Sequence, residues 1–192
     1  MRRENDRQDG QSIVELALVL PLLLMILIGM VEVGWAMRSH LVVSAASREG
    51  ARFAARQVFE YPEIGEVIYV AMLGLDPVLE DPDANTTIII TKVQIDPEGV
   101  WSIDGGQPSI TGTLPVTTQL DSAFYQQIAD ENAAFNDVPG RSGDSENNVI
   151  VVEVFYDHPL LLGTRMGAQT IGLGPLRLYS RSISRIGVSR YD

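Results

Sequence analysis

DRQDGQSIVELALVLPLLLMILIGMVEVGW, residues Asp6 to Trp35, is the stretch from which the rest of the chain is read. From Ile13 to Trp35 it is apolar apart from Glu15, Glu32, Pro21, Gly29 and Gly34. About 20 such residues cross a hydrocarbon core as a helix, so the apolar part, residues 13–36, reads as a membrane helix. Arg2, Arg3 and Arg7 precede it, as they would in a secretory signal. The run is longer than a signal core, however, and passes into Glu32 and Trp35 with no small-x-small cleavage site. Glu15 is the odd residue. A carboxylate in hydrocarbon costs at least ~2.5 kcal/mol, and this one stands five positions after Gly10, just inside the apolar run. The arginines that flank the segment, three before it and Arg38, Arg48, Arg52 and Arg56 after it, do not fix its orientation. The short leader favours an N-terminus kept inside and a translocated body.

That body is acidic. The chain has 192 residues and a formal charge of −11, and between Val58 and Leu160 eighteen Asp or Glu face only Lys92 and Arg141. Such a surface excludes nucleic acid as a partner, because neutralising phosphates needs a basic one. There is no cysteine, which removes disulfides, thiolate metal sites and a cysteine nucleophile.

The helical pattern continues beyond the membrane segment. Arg38 to Glu60 contains no proline and is rich in alanine and arginine, both good helix formers. At 100° per residue, Val42, Val43, Ala46, Ala51, Phe53, Ala54 and Val58 form an apolar face, while Arg48, Arg52 and Arg56 line the other side at i, i+4 spacing. Tyr61-Pro62 marks the expected stop. A helix over 11–60 would be about 75 Å long, apolar all round in its first half and amphipathic in its second. Beyond it, Glu63–Leu75 is expected to be a short helix. Asn85–Asp96 is expected to be a strand, with GVWSID as its hairpin partner across Pro97-Glu98-Gly99. Asp121–Phe135 has helical spacing without strong caps, and Asp137–Asn148 is a polar loop. Val149–Tyr156 is the strongest strand signal. In the last strand Leu176, Leu178, Ser180, Ser182, Ser184 and Ile186 point one way, with Arg177, Arg181 and Arg185 pointing the other. The fold class is therefore α+β: a long N-terminal helix whose amphipathic half packs on a small antiparallel sheet. The expected organisation is a leader over 1–10, the long helix over 11–60, and an extracytoplasmic domain over 61–192 with a loop-rich insertion at 97–148.

Gly10 followed by Gln11-Ser12-Ile13-Val14-Glu15 resembles the type IV prepilin signal. The longer stretch VELALVLPLLLMILIGMVEVGWAMRSHLVVSAASREGARFAA resembles TadE-like proteins, which accompany Flp (Tad, type IVb) pilus systems. The shared features are Val14-Glu15, Leu18-Val19-Leu20-Pro21, Gly29, Glu32, Gly34 and Ala46 to Arg52. The resemblance implies a type IV pilin-like fold, a cut between Gly10 and Gln11 by a prepilin peptidase, and methylation of the new amino group. It also implies that Glu15 meets the N-terminal ammonium of a neighbouring subunit. The partners implied are like subunits or other pilins, the peptidase, the pilus assembly platform and the membrane. Localisation would begin at the cytoplasmic membrane, with a single pass and the C-terminal domain outward, and end in an extracellular pilus. Residues 60–145 carry no motif of the family.

Read physically, Pro21 removes a backbone donor and permits a bend. Gly29 and Gly34 leave shallow places for another helix, and Glu32 lies near the outer membrane boundary, where it is either interfacial or a helix-packing residue hydrogen-bonded to another helix. Arg48, Glu49, Arg52 and Arg56 are candidate subunit contacts, or else a solvated helix face. No catalytic constellation is present: His40 and His158 are the only histidines, and no nucleophile, phosphate-loop or dinucleotide signature appears. No metal site and no cofactor are expected. The oxygen-rich loops with Asp81 and Asp83, and with Asp144 and Glu146, could take calcium but lack EF-hand spacing. Three readings stay open: an assembly or minor pilus component, the main subunit of a filament, and a single-pass membrane protein with an outer binding domain.

Overall fold

The computed structural model describes residues 2–55, 85–96, 99–136, 149–160 and 174–186, without the side chains of 2–10 and 133–136. Arg56, the expected end of the long helix near Glu60, the helix at Glu63–Leu75, the loops with Asp81, Asp83, Asp144 and Glu146, and the polar loop Asp137–Asn148 lie outside the described residues. The chain divides into two compact units, Met1–Arg38 and Ser39–Asp192.

The first unit is helical. It belongs to α1, Arg2–Ala54, which runs through Pro21 without a break in the assigned helix. Its large side chains stand open: Leu18 is 74%, Met25 69% and Met30 68% exposed. An apolar surface of this extent is not stable in water. The helix is long and apolar enough to cross a membrane.

The second unit is an α+β body. Its strands are β1 (Thr86–Ile95), β2 (Trp101–Ile103), β3 (Ser109–Gly112), β4 (Val149–His158) and β5 (Leu176–Arg185), all paired antiparallel. The order across the sheet is β2-β1-β4-β5, and β3 shares with β2 the same side of β1. β2 and β3 behave as one strand with an interruption. Ile103 pairs with Val93 and Ser109 with Ile90, so the 3-10 turn Asp104–Gly106 is looped out between them. Lys92 Nζ holds that detour from β1, 2.8 Å from Asp104 Oδ2. The β1–β2 hairpin is closed by Asp96, whose Oδ1 accepts the Val100 N–H at 2.7 Å, with Gly99 at a φ of 79°.

Both faces of the sheet are covered, which explains why β4 is buried along its whole length. On one face Ile88, Ile90, Ile150, Val152, Val154, Tyr156 and Leu178 meet Val43, Ala46, Ala51 and Ala54 of α1. Side chains alternate along a strand, so the odd-numbered residues of β1 and β4 face the opposite way. There Val93, Ile95, Val149 and Val151 pack on Tyr125, Ile128 and Ala129 of α2, Ser122–Asn136. Each buried isoleucine or valine contributes about 1.5–3 kcal/mol, and the two clusters together make a three-layer body. The described part of 97–148 thus holds β2, β3 and α2. α2 is better capped than its sequence indicates: Asp121 Oδ1 accepts the Phe124 N–H at 2.8 Å, the bond an N-cap residue makes.

The stripe of α1 that meets the sheet is made of small residues. Ser39, Val43, Ala46, Ser47, Gly50, Ala51 and Ala54 are buried. Short side chains let the helix axis come close to the strands. Ser47 Oγ reaches Ser180 Oγ at 2.9 Å, and its hydroxyl also donates to the Ser44 carbonyl at 3.1 Å.

One glycine is fixed by space as well as by conformation. Gly112 has a φ of 123°, and a Cβ there would lie 2.3 Å from the Thr86 carbonyl oxygen and 2.7 Å from Thr87 Cα. Gly112→Ala is expected to cost about 2–5 kcal/mol, combining backbone strain with overpacking. Gly105, at a φ of 73° with open space around it, is the comparison: Gly105→Ala loses only about 1–2 kcal/mol. Denaturant midpoints of the two variants, measured on the full chain in one detergent, give the ranking. Equal midpoints would show that the close approach at Gly112 does not matter.

Candidate functional site

The described residues that the sequence marks as functional, Gly10 to Arg52, lie on α1. Gly10 and Gln11 lie within it, and Gln11 to Leu27 are exposed throughout. Glu15 is one of them, with exposed Val14 on one side and exposed Leu16 on the other. It sits four residues after Gln11, so the two share a side of the helix one turn apart. Gly29 is half-buried and Gly34 exposed, and a Cβ at either would meet nothing within 4 Å. The described residues of this chain therefore give no packing reason for either glycine. Glu32 is half-buried.

In the second unit Arg48, Glu49 and Arg52 are exposed. With Ala45 and Ala51 on the helix side, and Ser182, Ile183 and Ser184 of β5 on the other, they line an open groove of about 660 Å³. Arg52 and Glu49 approach to 3.9 Å while 76% and 62% exposed, a pair worth less than about 1 kcal/mol. The groove is lined by helix side chains and a strand margin, with charge of both signs and no enclosed polar pocket. Such a surface suits contact with another macromolecule better than chemistry on a small molecule. His40 is exposed and His158 buried in β4. Among the described residues no group of three or more His, Cys, Asp or Glu gathers to hold a metal.

The most constrained polar group is one that the sequence does not single out. Glu153 is fully buried in the middle of β4. Thr118 donates its hydroxyl to Oε2 at 2.5 Å, while the Gln119 N–H and the Tyr179 hydroxyl both donate to Oε1 at 3.0 Å. Arg181 is its cross-strand partner and lies over the Phe124 ring at 4.4 Å. Burial first, then the Glu153 charge, push the Tyr179 phenol above its ordinary 10.0, although Arg181 opposes this. The carboxylate thereby ties three elements together: the segment 113–121 crossing from β3, the central strand and the outer strand. Thr87 anchors the start of that segment, accepting the Leu114 N–H at 2.8 Å. The signal was available as the one acid inside VIVVEVFY, residues 149–156. A strand with one solvated face would place such an acid in water, so only the covering α2 and 113–121 layer shows what it does.

At the outer strand, Asp157 and Arg177 form a two-point ion pair, with Nε to Oδ1 at 2.7 Å and Nη2 to Oδ2 at 2.8 Å. This pair accounts for one of the three arginines of β5.

The family described as TadE-like protein matches residues 10–52. The match opens at Gly10 and ends at Arg52, so it covers α1 alone and leaves the sheet outside. No curated protein and no solved structure matches the chain.

Proposed function

We propose, from an α1 that is TadE-like over residues 10–52, that this chain is a non-catalytic component of a Tad-type pilus system. A prepilin peptidase cuts it between Gly10 and Gln11. The apolar part of α1 anchors it in the cytoplasmic membrane with the sheet body outward. From there it joins other pilins through its N-terminal helix, as an initiating or minor component. The observation that carries this reading is the exposed apolar surface from Ile13 to Val33 on the same helix that carries the glycine and the glutamate. Lipid covers such a surface before assembly and neighbouring helices cover it afterwards, where Gly29 and Gly34 allow close approach.

Glu15 makes the exchange selective. In lipid its carboxylate is costly. Beside the ammonium of a neighbour's Gln11 it is paired, so helices in register are favoured over isolated ones. Main-subunit status is the same reading at higher copy number.

Intact mass and N-terminal sequencing of the protein from native membranes and from sheared surface material test the proposal. The expected N-terminus is Gln11, with the chain present in the sheared fraction. A chain that keeps residues 1–10 and is found in membranes alone would leave a membrane-anchored binding domain and overturn the pilus reading.

A further inference from the structure

We infer that Gln11 is a modification site: once it is the first residue, its α-amino group closes on its own side-chain carboxamide, and the resulting lactam withdraws unpaired copies from assembly. This rests on the proposed cut after Gly10 and on the pairing of Glu15 with a neighbour's ammonium, and it gives a fate to copies that find no neighbour.

The residue type permits the step. Glutamine holds a carbonyl carbon at Cδ, where attack by its own amino nitrogen closes a proline-like ring. The nitrogen forms a bond to Cδ, the Cδ–Nε2 bond breaks, and a proton passes from the attacking nitrogen to the departing one. Ammonia leaves, and nothing is oxidised or reduced. The structure accommodates the product. Gln11 is exposed, as are Ser12, Ile13 and Val14 after it, so none of these neighbours encloses the ring. The Gln11 carbonyl is not consumed and remains the helical acceptor for the Glu15 N–H within α1. A ring that presets φ is tolerated at the first helical position, so α1 need not unwind.

Protonation decides which copies react, because only the free amine has a lone pair to attack with. An α-amino group ordinarily ionises at about 7.7–8.0, which leaves roughly a tenth of it unprotonated near neutral pH. A carboxylate at ion-pair distance in a desolvated contact favours the ammonium, and the reactive share falls about tenfold or more. A copy whose amino group meets a neighbour's Glu15 is therefore protected. A lone copy has its own Glu15 one turn along, and an exposed contact at that spacing changes the balance by less than about threefold. The lactam carries no positive charge. A cyclised copy thus leaves the neighbour's carboxylate unpaired, the costly arrangement for a buried charge. Methylation of the same nitrogen keeps an amine that holds a proton, so it preserves the pair that cyclisation ends.

The test compares the full mature chain in native membranes with the chain in sheared filaments, the two worked up in parallel in the cold at neutral pH. The expected membrane pool contains a fraction that has lost one ammonia by intact mass and is blocked to N-terminal sequencing. After treatment with pyroglutamyl aminopeptidase that fraction reads from Ser12. Its share in the sheared material is expected to be lower by about tenfold or more, and Gln11→Ala is expected to show no such loss in either fraction. An equal lactam share in both fractions, an open amine (methylated or not) throughout both, or an ammonia loss that persists in Gln11→Ala overturns the inference. With the chain beginning at residue 11, each of these leaves the pilus reading standing. Retention of residues 1–10 in every fraction overturns both.

Discussion

Glu15→Leu is expected to leave membrane insertion and cleavage at Gly10 intact and to remove the chain from assembled filaments. The argument turns on what leucine changes in each state. In the membrane the substitution deletes a carboxylate from an otherwise apolar, exposed helix surface, so anchoring strengthens. In the proposed assembly it deletes the partner of a neighbour's ammonium. Removing one member of a buried ion pair costs about 3–5 kcal/mol because the other charge is left unpaired. At about 1.4 kcal/mol per tenfold, incorporation falls by roughly a hundredfold or more. Quantifying the variant against the unaltered chain in sheared filaments, with total membrane protein as the reference, gives the number. Glu15→Asp keeps the charge on a shorter arm and is expected to retain a measurable part. Incorporation of the leucine variant at the normal level would end the pairing argument, whatever the processing site proves to be.

Glu153→Ala is expected to be the most destabilising single change in the body. It strands the Thr118 hydroxyl, the Gln119 N–H and the Tyr179 hydroxyl at once and leaves a cavity under a fully buried position. Unsatisfied buried donors cost about 1–3 kcal/mol each, and relaxation of the segment 113–121 recovers part of this. A net loss of about 3–5 kcal/mol follows, some 10 °C or more in melting temperature for a body of this size. Glu153→Gln keeps the shape and one acceptor, and should lose less than half as much. A melting temperature within about 2 °C of the unaltered protein for the alanine variant would show that the three donors find other partners.

The same cluster sets an alkaline limit. Tyr179 is held neutral above its ordinary 10.0, so its contribution is intact below pH 10. It declines as pH rises further, because the unfolded phenol then ionises and the folded one does not. Tyr179→Phe should flatten that part of the stability profile.

How much of this was legible in the sequence depends on the kind of signal. The β-branched runs of β1 and β4 announce strands without further help, and the alternation in β5 places Ser180 toward α1, where it meets Ser47. The apolar helix and its Gly10, Glu15 and Arg52 landmarks are local in sequence, and the family match lies on that segment. What the sequence hid is what needs two distant segments at once. β3 is short, and the three-residue detour shifts its register against β1 relative to β2, so no alternation connects them. The stripe of α1 that packs on the sheet contains Ser39, Ser47 and Gly50, which an apolar-face count passes over. Close approach selects for small size there, and polarity matters less because Ser47 is satisfied by Ser44 and Ser180. Glu153 is hidden for the same reason: its three donors come from residues 26 to 35 positions away.

The looped-out turn between β2 and β3 also bears on how these bodies behave when crowded. An open strand margin is a template on which any passing extended chain can add itself, and repetition of that event makes insoluble fibrous aggregates. Here the margin offers only three consecutive ladder positions in β2 and four in β3, with a kink pinned by Lys92 between them. An intruding strand that registers on one segment is out of register on the other. At the local density that the proposed assembly would impose, the detour thus protects the sheet against uncontrolled strand addition.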